Sequence, residues 1–299
     1  MSRGIAILML TMTALFWGLA FVAQKTAMES MGPLTFIGVR FIIGGLLVLP
    51  LALNEYRRRA RPLSRRDIWA IVALGLVFFL GTWLQQLGVV ITTVTNSGFL
   101  TGLYVVFAPL IGLVFMRHKP HPIVWFCAPL AVIGLYYLNG GGLDRFNSGD
   151  LLVIVSAVFW AVQIVMLGII ASRTRLPIVV SCTCFLITGI LSMLGAFVLE
   201  TPTFAGIAAG WVELAYAAVL STALAFTFQA VAQQYVPPAN AAIIQSLETL
   251  FAALGGAVLL GERLPPIGYA GAAVLFIAIV MVEAVPALNR RTSKPAEIS

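Results

Sequence analysis

The chain states one pattern twice, and the pattern has an odd number of parts. Thr95-Asn96-Ser97 through Pro122-Ile123 falls without a gap on Ala239-Asn240-Ala241 through Pro266-Ile267, an offset of about 144 residues. Within the match Asn96 meets Asn240, Leu103 meets Leu247, Phe107-Ala108 meets Phe251-Ala252 and Gly112 meets Gly256. Upstream, Ala14-Leu15-Phe16-Trp17 recurs as Ala157-Val158-Phe159-Trp160, Pro33 as Pro177 and Gln85 as Gln229. Each copy holds five apolar spans, so the second must enter a bilayer upside down relative to the first. Inverted repeats of this kind build secondary transporters, with the substrate site where the copies meet.

Composition leaves no soluble alternative. Hydrophobic residues make up 61% of the 299 and charged ones 10%, against about 25% charged in soluble domains. A spanning helix needs about 20 apolar residues. The expected fold is an all-α integral membrane protein of ten transmembrane helices. The spans are predicted at 5–27, 33–53, 68–90, 94–116, 122–139, 149–171, 177–199, 210–235, 239–260 and 267–285. Residues 1–142 form the first five-helix repeat, 149–286 the inverted second, and 287–299 a short basic tail. Long runs without period-two alternation exclude a β-barrel. The first span outruns a secretory signal and is read as retained.

Basic residues set the orientation. With both termini cytoplasmic, that side receives Arg3, Arg57, Arg58, Arg59, Arg61, Arg65, Arg66, Arg117, Lys119, Arg173, Arg175, Arg290, Arg291 and Lys294. The other side receives Lys25, Arg145 and Arg263, so the positive-inside rule favours this arrangement. The Arg57–Arg66 run is read as a headgroup-facing loop, not a nucleic-acid patch. Cys127, Cys182 and Cys184 lie within spans and make no disulfide framework. His118 and His121 have no further ligand nearby, so no metal site is expected. No phosphate-binding or hydrolase motif occurs, no cofactor is implied, and the chain is not read as an enzyme.

The paired motifs carry a resemblance. The first copy reads Trp17-Gly18, Phe21, Lys25, Pro33 and Arg40; the second ends Leu247-Glu248, Phe251-Ala252-Ala253-Leu254 and Gly261-Glu262-Arg263-Leu264. Over essentially its whole length the chain resembles the ten-helix EamA-type members of the drug/metabolite transporter superfamily. Among them it is similar to bacterial aromatic amino-acid exporters of the YddG kind. That resemblance implies a gradient-driven exporter of amino acids or related metabolites in a bacterial inner membrane. It departs from the family where proline often follows Leu-Glu, since Thr249 stands there. Arg117-His118 also stand where the second copy has Gly261-Glu262.

A polar side chain at mid-depth is costly unless it faces the bundle interior or a wet cavity. On helical spacing, Gln245 and Glu248 share a face of the ninth span, and Thr101 and Tyr104 the matching face of the fourth. Trp17 and Trp160 fall midway through their spans, where an interfacial anchor is no explanation; Gln163 shares the stripe of Trp160. Thr82, Trp83 and Gln86 represent the third span, and Asn96, Asn240 and Ser246 complete the candidate binding set. Each Gln or Thr has the alternative of an ordinary interhelical hydrogen bond. Glu248 is the one acidic residue near the centre of a span, a candidate proton carrier or partner for a substrate ammonium. Arg40 either neutralises Glu248, or caps carbonyls at a helix break, or takes a substrate carboxylate in bidentate fashion.

The expected partners are therefore a small-molecule substrate and membrane lipid, with no nucleic acid; the sequence leaves the oligomeric state open, and a monomer is plausible. A nucleotide-sugar carrier would call for several deep cations, and only Arg40 is available. An intramembrane enzyme acting on lipids would need paired acids, metal ligands or an activated nucleophile at similar depth, and the lone central Glu248 argues against it. A non-transporting scaffold would not be stabilised by a ligand.

Overall fold

The computed structural model describes residues 1–116, 120–138, 140–141, 147–261, 263 and 266–292. Arg117, His118, Lys119, Arg145, Glu262, Leu264 and Lys294, all invoked above, lie outside them. Besides two short turns of helix at Ala27–Glu29 and Phe204–Ala209, the described chain is helical in ten long units: α1 (Arg3–Thr26), α2 (Pro33–Arg57), α3 (Arg65–Ile91), α4 (Val94–Thr101, then Tyr104–Met116) and α5 (Pro122–Leu138). They are followed by α6 (Ser148–Thr174), α7 (Pro177–Leu199), α8 (Trp211–Ala232), α9 (Pro238–Gln245, then Leu247–Leu259) and α10 (Pro266–Thr292). Among the described residues nine of these are long and apolar enough to cross a bilayer, and Pro122–Tyr137 of α5 is shorter. Helices suit this setting because they satisfy their backbone polar groups internally.

Local sequence explains where they begin. Proline opens α2, α5, α7, α9 and α10, where its missing N–H costs nothing. α3 and α6 open instead with capping boxes, Ser64 with Asp67 and Asn147 with Asp150. α10 runs on to Thr292 through Pro286, so the first part of the expected tail is helical.

The repeats are inverted, and side chains show it. α2 and α7 are repeat mates. The Glu200 carboxylate, just past the end of α7, accepts hydrogen bonds from the N–H groups of Leu34 (2.7 Å) and Thr35 (2.9 Å) at the start of α2. Glu55, near the end of α2, accepts from the Val179 N–H at the start of α7, at 2.8 Å. The mates therefore run antiparallel, each capped by the other, with negative charge at a helix N-terminus. α3 and α6 are likewise joined at both ends, by Arg173 to Asp67 at 2.7 Å and by Thr92 to Asp150 at 2.6 Å.

Two departures from regular helix matter. α4 breaks at Gly102-Leu103 and α9 at Ser246, which are corresponding positions in the two copies. Discontinuous helices in matching places are the usual frame of a transport site. No proline makes the α9 break; Thr249 donates its hydroxyl to the Gly98 carbonyl of α4 at 2.8 Å and ties the two interruptions together. The second departure was not expected from sequence. Ala217–Phe226 of α8 is a ten-residue π-helical segment, a form found mostly as short insertions near functional sites.

Candidate functional site

Beside these breaks lies a narrow cavity lined from α1, α2, α3, α4, α6, α8 and α9. All of its lining residues except Trp17 are buried, so the chamber is closed on both sides. Three kinds of group meet there.

The first is aromatic. Phe226 is the hub, with ring centroids 4.4 Å from Trp17 and 5.9 Å from Trp160, the latter stacked at 21°. The π segment explains its position. Ser221 and Phe226 both line the cavity, yet five residues correspond to about 140° around an ordinary α-helix. The wider helix brings them towards one face. Trp17 donates its indole N–H to the Ser221 carbonyl at 3.1 Å, and the Thr13 hydroxyl donates to the Ala225 carbonyl at 3.0 Å, so α1 is bonded into this segment.

The second is a set of amides. Gln85 donates to the Thr101 hydroxyl at 3.0 Å, and its repeat mate Gln229 donates to the Gln245 side-chain carbonyl at 3.5 Å. Gln163 and Gln229 exchange hydrogen bonds at 3.1 and 3.3 Å.

The third is charge. Arg40 is buried with its guanidinium 4.6 Å from the Phe41 ring centroid and 5.5 Å from that of Phe36, within the range of cation–π attraction. Its Nε and Nη1 have no hydrogen-bond partner. Glu248 is buried with Oε1 unpartnered, as are the Tyr104 hydroxyl and the Trp160 indole N–H. Arg40 and Glu248 line one cavity, yet among the described residues no hydrogen bond or ion pair joins them. Buried polar atoms are nearly always paired, because leaving one bare costs about 1–3 kcal/mol. Four residues with such atoms around one chamber mark where a polar ligand would complete the bonding.

Of the candidates from sequence, Trp17, Arg40, Thr101, Tyr104, Trp160, Gln163 and Glu248 line the cavity. Gln245 lies one bond behind it, through Gln229. The others sit elsewhere. Thr82 donates to its own helix at Phe78, and Trp83 stacks on Phe79 at 5.7 Å. Gln86 donates to the Gln24 carbonyl at 3.1 Å, and Ser246 to the Ile243 carbonyl at the α9 break. Asn96 is at the start of α4, where its N–H is capped by Thr93. Asn240 donates to the Val282 carbonyl of α10. Phe21, quoted above only as a motif residue, and Ile164 and Phe226, not singled out at all, also line the cavity; apolar residues in apolar spans leave no signal of a site. Among the described residues no group of His, Cys, Asp or Glu could hold a metal ion.

Known proteins place this architecture. A solved crystal structure superposes with a TM-score of 0.77 over 98% of this chain and all of its own, at 18% identity, which speaks for the fold alone. An uncharacterized transporter of Archaeoglobus fulgidus is 31% identical over 281 residues, 91% of this chain and 84% of the relative. The inner membrane transporter YedA of Escherichia coli is 25% identical over 277 residues, 90% of this chain and 87% of the relative. A Chlamydia muridarum S-adenosylmethionine/S-adenosylhomocysteine transporter is 27% identical over 163 residues, half of each chain. One family model matches twice, at residues 4–140 and 147–284, so each half of the molecule carries the same unit. With that double match added to the closed polar chamber between two inverted bundles, this multi-pass membrane protein belongs to the EamA-like transporter family.

Proposed function

We propose that the central cavity carries a zwitterionic α-amino acid or a close metabolic relative across the membrane by alternating access. The observation behind this reading is the pair of opposite charges in one closed chamber, Arg40 and Glu248, each with bonding capacity unused and not spent on the other. A substrate carboxylate matches the forked guanidinium donors of Arg40. A substrate ammonium matches Glu248, with Tyr104 beside it. The aromatic group of Trp17, Trp160 and Phe226 suits an apolar or aromatic side chain. The Chlamydia relative is named for S-adenosylmethionine and its demethylated product, and both of those molecules carry an α-ammonium and a carboxylate.

In this reading residues 1–142 and 149–286 are the two moving repeats, both termini face the cytoplasm of a bacterial inner membrane, and flux is outward. A nucleotide-sugar cargo is disfavoured, because Arg40 is the one cation among the lining residues and a pyrophosphate would need more. The test is counterflow in proteoliposomes with radiolabelled amino acids, with and without a pH gradient. Uptake above protein-free vesicles, lost in Arg40→Gln, is expected. Wild-type flux in that variant, or no uptake of any amino acid, would overturn the proposal.

A further inference from the structure

The cavity is shut at its two ends by different chemistry. α3 is bonded to α6 and α1 to α8, so opening one end parts α1 from α3, and opening the other parts α6 from α8. α1 meets α3 at the end remote from the amino terminus, which the proposed orientation puts outside. There Lys25, in the last turn of α1, donates to the carbonyls of Val89 at 3.0 Å and of Val90 and Thr92 at 2.9 Å each. Three acceptors match the three donors of an ammonium. Val89 and Val90 stand in the last turn of α3, whose carbonyls have no partner within their own helix and carry the negative end of its dipole. Beside this contact Gln86 of α3 donates to the Gln24 carbonyl of α1 at 3.1 Å. Phe21, Val22, Val89, Val94 and Ala252 form a small buried apolar cluster of their own, and Phe21 also lines the cavity, so the cluster is its roof at this end.

The opposite end uses the repeat mates. Ile164 stands for Phe21 and also lines the cavity, and Gln233 stands for Val89. Gln233 donates to the Ile164 carbonyl at 3.1 Å, and Gln163 and Gln229 exchange their two bonds nearby. Those are bonds between neutral groups. In the place of Lys25 the second copy has Gly168 or Ile169, and the one cation of α6, Arg173, is bonded to α3.

We infer that Lys25 is the latch of the outer gate, and that the cavity consequently opens more readily towards the cytoplasm, the side from which an exporter must load. The inference rests on the alternating access and orientation of the proposed function and is independent of the cargo.

Thiol labelling without any cargo tests it. In the full-length protein carrying Cys127→Ala, Cys182→Ala and Cys184→Ala, the substitution Ser221→Cys puts a single thiol in the cavity wall. A membrane-impermeant maleimide reaches the outer face in spheroplasts and the cytoplasmic face in inverted vesicles. With Lys25 intact, labelling should be faster from the cytoplasmic face. Lys25→Met should raise the outer rate roughly 5- to 30-fold, the weight of a cation at a partly buried helix C-terminus, without raising the cytoplasmic rate, and Lys25→Arg should stay near the parent. Gln233→Leu should raise the cytoplasmic rate instead, by roughly 2- to 13-fold for a neutral bond. Gln86→Leu deletes the other α1–α3 bond and should raise the outer rate by a similar factor; it carries the test if Lys25→Met does not reach the membrane. An outer rate unmoved by Lys25→Met and Gln86→Leu overturns the latch, as does an equal rise at both faces or faster outer labelling with Lys25 intact. A rise at the cytoplasmic face alone would reverse the orientation and keep the latch. Failure of every amino acid in counterflow would remove the proposed cargo and leave these rates as they are.

Discussion

The two copies build the same seam in different ways. α3 packs on α6, and the corresponding seam joins α8 to α1. In the first, Gly81 and Gly88 of α3 let the backbones approach; a Cβ at Gly88 would stand 2.7 Å from the Gly149 carbonyl of α6. The matching positions in α8 are Ala225 and Ala232. α8 is π-helical over Ala217–Phe226, whereas α3 is α-helical throughout. α1 bonds into α8 through Thr13 and Trp17, whereas Ser156 of α6 turns back to its own helix at Val153, and Trp160 has no bond. One seam is close-packed and joined at both ends. The other depends on hydrogen bonds to an irregular segment that also lines the cavity. The repeated pattern thus fixes where helices lie, while small differences set how each seam is held. α8 is the better candidate for movement, since interrupted helical hydrogen bonding is where functional hinges concentrate.

Swapping the mates should break this comparison most visibly at the centre. Glu248 and Tyr104 are equivalent positions, but one offers a carboxyl and the other a hydroxyl. Glu248→Gln should lower transport by roughly 10- to 150-fold, the weight of a charge-assisted bond of about 1.5–3 kcal/mol, and remove its pH dependence without preventing membrane insertion. Tyr104→Phe should cost only roughly 2- to 13-fold, as a neutral bond does. Proteoliposome flux at several pH values measures both; equal losses would show that the asymmetry of the site is not functional.

The close-packed seam comes next. Gly88→Ala should destabilise by about 1–3 kcal/mol, because the clash is with backbone that cannot rotate away. Ala232→Gly in the mate should cost about 0.5–1 kcal/mol, mainly through helix entropy. Thermal unfolding in detergent separates the two. Helix caps follow. Glu200 holds two backbone N–H groups and the Thr35 hydroxyl, the latter at 2.7 Å, whereas Glu55 holds one N–H. Glu200→Ala should therefore cost about 2 kcal/mol and Glu55→Ala about 1 kcal/mol.

The particular residues show how far sequence reaches. The span count, the repeat and Arg40 as a lone deep cation were all legible, because hydropathy and unshared charge are properties of single positions. The repeat signal did not separate site from scaffold. Asn96 and Asn240 are identical repeat mates, yet neither lines the cavity: the Asn96 N–H is capped by Thr93 at the start of α4, and Asn240 donates to the Val282 carbonyl of α10. Phe226 was hidden because an apolar residue in an apolar span leaves no signal, and the π-helical segment that carries it was not expected from sequence. Glu55 and Glu200 were hidden because a cap whose partner is 124 or 166 residues away leaves no local pattern.

The smallest effect separates the two tryptophans. Trp17 donates to Ser221 at 3.1 Å, so Trp17→Phe removes a bond and leaves a carbonyl of the π segment without its cross-helix donor, a cost of about 1 kcal/mol. Trp160 is buried with its N–H unpartnered. Trp160→Phe keeps an aromatic ring for Phe226 and deletes a polar atom that contributes nothing to the fold, so stability should change by only about a few tenths of a kcal/mol or rise. The same substitution should reduce the thermal shift produced by a bound amino acid, if the indole N–H is reserved for cargo. A variant as destabilised as Trp17→Phe would mean the two seams are energetically alike; one with an undiminished ligand shift would place Trp160 in the wall and not in the binding set.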